Sequence, residues 1–202
     1  MKRPKLALLC VLVGLPLAWY IWAWVSYPND RTVDGAYLRV MSAVNQGEPE
    51  AFFAYTETRA QHACYTIRTY RKQAYERVRA AYPEPERSTL AKKYEAQAMA
   101  PDGSDIFAFY AEREGWLDRL RRDMSGVSKV EVVGERATLQ TVKGTRYPFR
   151  RRDNGIWGLT LFTPVLVAEA ERAARDYELI DKAARDYERA RAAPRAQSSA
   201  TP

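Results

Sequence analysis

Between Lys129 and Phe162 the chain alternates short runs of strand-forming residues with three tight-turn signals, Gly134-Glu135, Lys143-Gly144 and Asn154-Gly155. The spacing predicts a four-stranded antiparallel meander. Asn-Gly is the strongest of the three signals, because a type I′ turn needs positive φ at both central residues. If each pair forms a two-residue loop, residues opposite one another share a sheet face, which groups Val130, Val132, Ala137, Leu139, Trp157, Leu159 and Leu161 as the expected core face. The other face carries Glu131, Thr138, Gln140, Tyr147, Phe149, Arg151, Thr160 and Phe162, which is too aromatic to be left wholly in water, so a covering element is expected there. Pro148 must turn its missing N–H away from the ladder or sit at a bulge.

Upstream, the period changes from two to between three and four. Ala36, Tyr37, Val40, Met41 and Val44 predict a helix over 34–46 that ends at Gly47. Pro49 opens a second helical run through Phe52, Phe53, Tyr55 and Ala60, since proline at a first helical position sacrifices no hydrogen bond. Residues 63–82 are helical in pattern and rich in arginine, and Pro83-Glu84-Pro85 stops them. Helices over 88–99 and 105–124 follow, joined by the turn Pro101-Asp102-Gly103. Residues from about 63 to 100 thus read as a basic helical hairpin inserted in the domain, its charges a solvated face.

After the sheet, Thr163-Pro164 is a cap and first-turn pair, and no Gly or Pro interrupts the chain before Pro194. A long helix over 163–193 is expected, with Leu166, Ala170, Ala173, Tyr177, Ile180, Ala184 and Tyr187 as a seam that packs along its length. Glu171 with Arg175, Glu178 with Lys182 and Asp181 with Arg185 are oriented as i,i+4 pairs. Residues 194–202 are small and polar and read as a disordered tail.

The start of the chain is different in kind. Lys2, Arg3 and Lys5 precede an uncharged run, residues 6–25, whose length matches a bilayer core of roughly 30 Å. Trp19, Tyr20, Trp22, Trp24 and Tyr27 crowd its far end, where amphipathic rings favour the membrane interface. Residues 1–28 are therefore expected to be a membrane anchor with its amino end cytoplasmic. The rest would lie outside a bacterial-type inner membrane, as a single-pass periplasmic or extracellular domain. A cleaved signal peptide is the alternative, but Pro16 sits three residues before the cleavage that Ala18 would permit, and no small-x-small site is evident.

Composition is globular, 47% hydrophobic and 12% aromatic, and the formal net charge of +7 suits acidic company or an anionic membrane surface. Cys64 is the only cysteine outside the uncharged run, so no internal disulfide is expected. The chemistry is sparse. His62 is the single histidine, and on a helix it and Cys64 point roughly 200° apart, which does not make a nucleophile and base. One histidine and one such cysteine give no zinc set, Asp102 and Asp105 lack the other ligands of a calcium loop, and no cofactor is implied. Arg150-Arg151-Arg152 is the densest basic cluster. Alternation places Arg150 and Arg152 beside Trp157, making these three the candidate ligand-binding residues, with no catalytic or metal residue to add.

Two amino-terminal helices, Ala36 to Gly47 and Pro49 to Thr56, followed by hairpin strands ending in Asp153-Asn154-Gly155-Ile156-Trp157-Gly158-Leu159, resemble the NTF2-like cone fold, close to its DUF4878-type and SnoaL-like branches. The resemblance covers residues 34–60 and 127–162, and the chain departs from the family in its helical middle and its terminal helix. It implies a pocket between the sheet and the helices, a sheet face that often makes a dimer, and, for many exported members, binding or accessory roles. No catalytic residue carries over by motif.

The expected class is α+β: an N-terminal transmembrane helix, a helical region on a four-stranded antiparallel meander over 29–162, and a long C-terminal helix. Three functions fit. The first is a membrane-tethered, extracytoplasmic, non-enzymatic interaction or accessory module, contacting a protein partner or a second copy through the sheet face or the terminal helix. The second is a small-molecule binder or SnoaL-like enzyme using the cone pocket. The third is an electrostatic binder of anionic envelope components. Nucleic acid is not expected, because no aromatic-basic reading motif is present.

Overall fold

The structure is a computed structural model that describes residues 29–198, so the expected anchor over 6–25 lies outside the described residues. Among the described residues there are seven helices and one four-stranded sheet, and no helix is long and apolar enough to cross a membrane. Helix α1 spans Val33–Gln46, capped by the Thr32 hydroxyl, which accepts from the Gly35 N–H. Then come α2 (Pro49–Phe53), α3 (Thr58–Ala81), α4 (Glu86–Ala98), α5 (Gly103–Arg113) and α6 (Trp116–Asp123). Strands β1 (Val127–Val133), β2 (Arg136–Thr141), β3 (Arg146–Arg151) and β4 (Trp157–Leu159) precede α7 (Thr163–Ser198).

Two expected helices are each broken in two. The run from Pro49 to Ala60 stops at Phe53 because the next residues pair with the sheet: the Leu159 N–H donates to the Tyr55 carbonyl at 2.7 Å and the Glu57 N–H to the Leu159 carbonyl at 3.1 Å. Gly158 permits that approach, since a Cβ there would stand 2.6 Å from the Thr56 carbonyl oxygen. The run over 105–124 divides between Arg113 and Trp116. The terminal helix, in turn, continues through Pro194 to Ser198 rather than ending at 193.

The meander is present, in the order β1-β2-β3-β4 with every pair antiparallel, but two of its turns are one residue longer than expected. Only Gly134-Glu135 is a two-residue loop, closed by the Val133 and Arg136 pair. Val142-Lys143-Gly144 lies between Thr141 and Thr145, and Asp153-Asn154-Gly155 between Arg152 and Ile156. Each of these loops ends on a glycine with positive φ, 86° at Gly144 and 84° at Gly155, while Asn154 keeps negative φ and no type I′ turn forms. Each extra residue reverses which face the next strand presents. Strand β3 is therefore inverted relative to expectation: Tyr147 and Phe149 face the core, opposite Leu139 and Ala137. The second slip cancels the first, so Trp157 and Leu159 are buried as expected, whereas Leu161 lies beyond β4 and is exposed. Phe162, expected on the far face, is buried. The far face is left polar.

The molecule has two apolar cores. The larger one joins α1, α2, the first half of α3, α5, α6, the sheet and the start of α7, forming a head. Phe107 is central to it, with ring centroids of Phe52, Phe53, Trp116 and Phe162 between 5.1 and 5.7 Å away. The smaller core, including Val78, Tyr82, Tyr94, Ile180 and Ala184, holds an arm of α3, α4 and α7. Helices α3 and α7 run parallel, because their contacts advance together: Arg71 with Asp176, Arg77 with Asp181 and Tyr82 with Tyr187. The terminal seam thus packs on α3. The Glu171–Arg175 pair forms on its exposed side, and Asp181 meets Arg185 as well as Arg77.

Between the cores lies a polar layer. Glu169, nearly buried, accepts from the Tyr110 hydroxyl at 3.1 Å and meets Arg172 at 3.0 Å. Arg71, also nearly buried, pairs with Asp176 and lies over the Tyr94 ring at 5.1 Å. The arginines of the expected hairpin are therefore not all solvated, since Arg71 and Arg77 tie α3 to α7.

Candidate functional site

The three residues singled out by the sequence do not converge. Arg151 stands opposite Trp157, and Arg150 stands opposite Gly158 on the reverse face, so Trp157 and Arg150 are separated by the sheet. The one-residue slip at Val142-Lys143-Gly144 is the cause, because it inverts β3 and with it the sides expected for Arg150 and Arg152. Trp157 is buried and fills the core.

Arg150 and Arg152 do come together, at a cavity of about 260 Å³ between the start of α3 and the β3–β4 turn, shared with Thr58, Arg59 and Asp153. Both are already engaged there. Arg150 reaches the nearly buried Glu57 carboxylate at 3.4 Å, and Glu57 also accepts from the Thr163 hydroxyl at 2.8 Å. Arg152 donates to the Ala54 carbonyl and, at 2.9 Å, to the Gln61 side chain. Partial burial holds its guanidinium below the ordinary arginine value. This corner locks α2, α3, the last hairpin and the start of α7 together, which is a structural task.

His62 and Cys64 point to different sides of α3, as the helical spacing predicts. His62 is exposed and borders a groove of about 400 Å³ between α3 and α7 with Ala63, Tyr70, Ala170 and Ala174. Cys64 is fully buried, and burial pushes its thiol up to about 12, so it remains protonated and inert at neutral pH. Among the described residues, no group of three or more His, Cys, Asp or Glu side chains is arranged to hold a metal. The space between sheet and helices is filled by Tyr37, Phe52, Phe107, Tyr110 and Phe149, all buried. Tyr147 joins them with its hydroxyl buried and without a partner, and burial raises the phenol above its ordinary value.

A depression of about 690 Å³ lies on the head, where the start of α2, the end of α4, α5 and α6 meet. Its floor is apolar: Met99, Ile106, Phe109 and Leu117, with the Met99 side chain more than half exposed. Three carboxylates, Glu50, Asp105 and Glu112, stand among its lining residues, and no Lys or Arg does. Local sequence builds each part. Pro49 starts α2 and sets Glu50 in its first turn. Asp102 and Asp105 form a capping box that fixes the start of α5, with the Asp105 carboxylate accepting from the Asp102 N–H at 2.9 Å. The Asp102 carboxylate is held below its usual range by backbone N–H donors, the largest effect coming from Gly103. Glu112 lies two turns along α5, on the same side. Two arginines that adjoin it are occupied, Arg121 by the Val44 carbonyl and Asp118, and Arg68 by the Ala100 carbonyl at 2.7 Å.

Sequence reasoning read Pro101-Asp102-Gly103 as a turn and passed over this depression. The available signal was Met99 beside that turn, with Asp105, Phe109 and Glu112 at helical spacing after it. No family model, curated protein or solved structure matches this chain.

Proposed function

We propose that this chain is a non-enzymatic interaction module, tethered by residues 6–25 and exposed outside the cytoplasm, that docks a basic amphipathic segment of a partner protein in the depression around Met99. The observation that carries the reading is the charge pattern there: an apolar floor beside three carboxylates, on a protein whose net charge is +7. A segment with Leu or Phe on one side and Lys or Arg on the other would seat its apolar side chains on Met99 and Phe109 and set its cations against Glu50 and Glu112. The rings that fill the interior favour this surface reading over a cone-pocket enzyme. The head is read as a variant NTF2-like domain on the residues that carry that resemblance.

The test uses residues 29–202, which carry both cores, and a fluorescently labelled helical peptide of leucine and lysine. Anisotropy should report salt-sensitive binding of this peptide and none of its leucine and glutamate counterpart. Glu50→Lys with Glu112→Lys should weaken it about tenfold, the sum of two exposed ion pairs at about 0.7 kcal/mol each. Equal binding of the two peptides, or no effect of the double substitution, overturns the docking site.

The tether has its own test. A reporter active only in the cytoplasm, fused after Pro202, should be silent in cells, and the same reporter placed before Met1 should be active. Activity at the C-terminal fusion overturns the orientation.

A further inference from the structure

Strand β1 has β2 on one side and no strand on the other among the described residues, and every residue from Ser128 to Val133 is exposed. Exposed edges are ordinarily blunted by shortness, proline, bulges or charged side chains, lysine above all. This one is seven residues long, its one irregularity is at the Val127 end, and Val130, Val132 and Val133 are 38%, 54% and 79% exposed. Its only charges are Lys129 and Glu131, which touch each other along the strand at 2.5 Å and so share the far face of the sheet.

We infer that β1 pairs with β1 of a second copy, antiparallel, about a two-fold axis through Val130. Register decides the case. With the axis at Val130, Val130 faces its own copy on the helix side of the sheet, and Lys129 of each chain stands directly opposite Glu131 of the other. Moving the axis one residue toward the C-terminus sets Glu131 against Glu131, and one residue the other way sets Lys129 against Lys129. Like charges directly opposite are destabilising and unlike charges stabilising, so the order Lys-Val-Glu selects one register of the three. The interface is isologous and closes after two copies, joining two four-stranded sheets into one. It also sets Val130 against Val130, with Val132 of each chain diagonal to it on the same face. This rests on the edge alone and is independent of the docking site.

The experiment uses the full chain in native membranes with Cys10→Ser as background, Cys64 being buried. Val130→Cys should form a disulfide dimer on mild oxidation, because only the residue on the axis faces itself. Ser128→Cys and Val132→Cys should each fail alone and cross-link when the two variants are co-expressed, since 128 faces 132. Adding Glu131→Lys to Val130→Cys should cut the dimer yield about tenfold, and further adding Lys129→Glu should restore it. Absence of the Val130→Cys dimer, equal cross-linking at 130, 132 and 133, or indifference to the charge reversal each overturns the pairing.

Discussion

Phe107→Ala should remove about 3–5 kcal/mol of stability, the upper range for a core truncation. Phe107 is fully buried, and the four rings around it come from three separate places: Phe52 and Phe53 on α2, Trp116 on α6, Phe162 just before α7. None can swing far into the space it vacates. Trp116 and Phe162 are stacked at 4.4 Å, and Phe52 and Phe53 sit on a short helix pinned between Pro49 and the Tyr55–Leu159 contact. A cavity that cannot collapse loses dispersion contacts as well as the transfer free energy. Since domains are stable by only about 5–15 kcal/mol, the urea midpoint should fall by about 2 M. Phe107→Leu should recover more than half of the loss, and Val142→Ala, at an exposed position, should change little. A loss under about 1 kcal/mol for Phe107→Ala would mean that these rings do not form the centre of the core.

The parts of this fold governed by local rules were legible. Hydrophobic period located α1, the hairpin that became α3 and α4, and the seam of α7, because each depends on one face of one helix. Turn chemistry located all three hairpins. What it did not resolve was their length, because Lys143-Gly144 and Asn154-Gly155 are compatible with both two-residue and three-residue loops, and both place glycine at positive φ. The consequence was all or nothing for β3, since side chains alternate with a period of two. Tyr147 and Phe149 carried the missing evidence. Two aromatic residues at alternate positions argue for burial, and giving them the core face would have required the longer loop. The break after Phe53 was illegible for another reason, as the Tyr55–Leu159 pairing is set by a residue about a hundred positions away, whereas the break between α5 and α6 falls at Gly115, whose φ is 63°.

The candidate site was less legible than the fold. Arg150, Arg152 and Trp157 were grouped by alternation, which inherits every register error upstream. The depression around Met99 is assembled from four helices, and no single stretch displays it. Its acidic lining is visible only once Glu50 and Glu112 are brought beside one another.

Ile180→Asp should open the arm and leave the head folded. Ile180 lies in the smaller core with Tyr82, Tyr94 and Ala184, and the Tyr82 hydroxyl donates to its carbonyl at 3.1 Å. An aspartate there would sit among apolar side chains, so the change combines lost apolar burial with the burial of a charge, on the order of 4 kcal/mol. The arm cannot absorb it. An isolated helix of this composition is marginal in water, and α7 beyond Asp176 is held mainly by this seam and by Arg77, which grips Asp181 and Glu188. The head should survive, because the layer of Glu169, Tyr110, Arg71 and Asp176 separates the two cores and lets them open as distinct units. The readouts separate cleanly, as the arm has no tryptophan while Trp116 and Trp157 belong to the head. In residues 29–202, Ile180→Asp should reduce helical ellipticity while tryptophan emission and its urea midpoint stay near those of the parent. Val78→Asp, in the same core on α3, should do the same. Simultaneous loss of both signals would make head and arm a single cooperative unit, and unchanged ellipticity would mean that α7 does not depend on its seam.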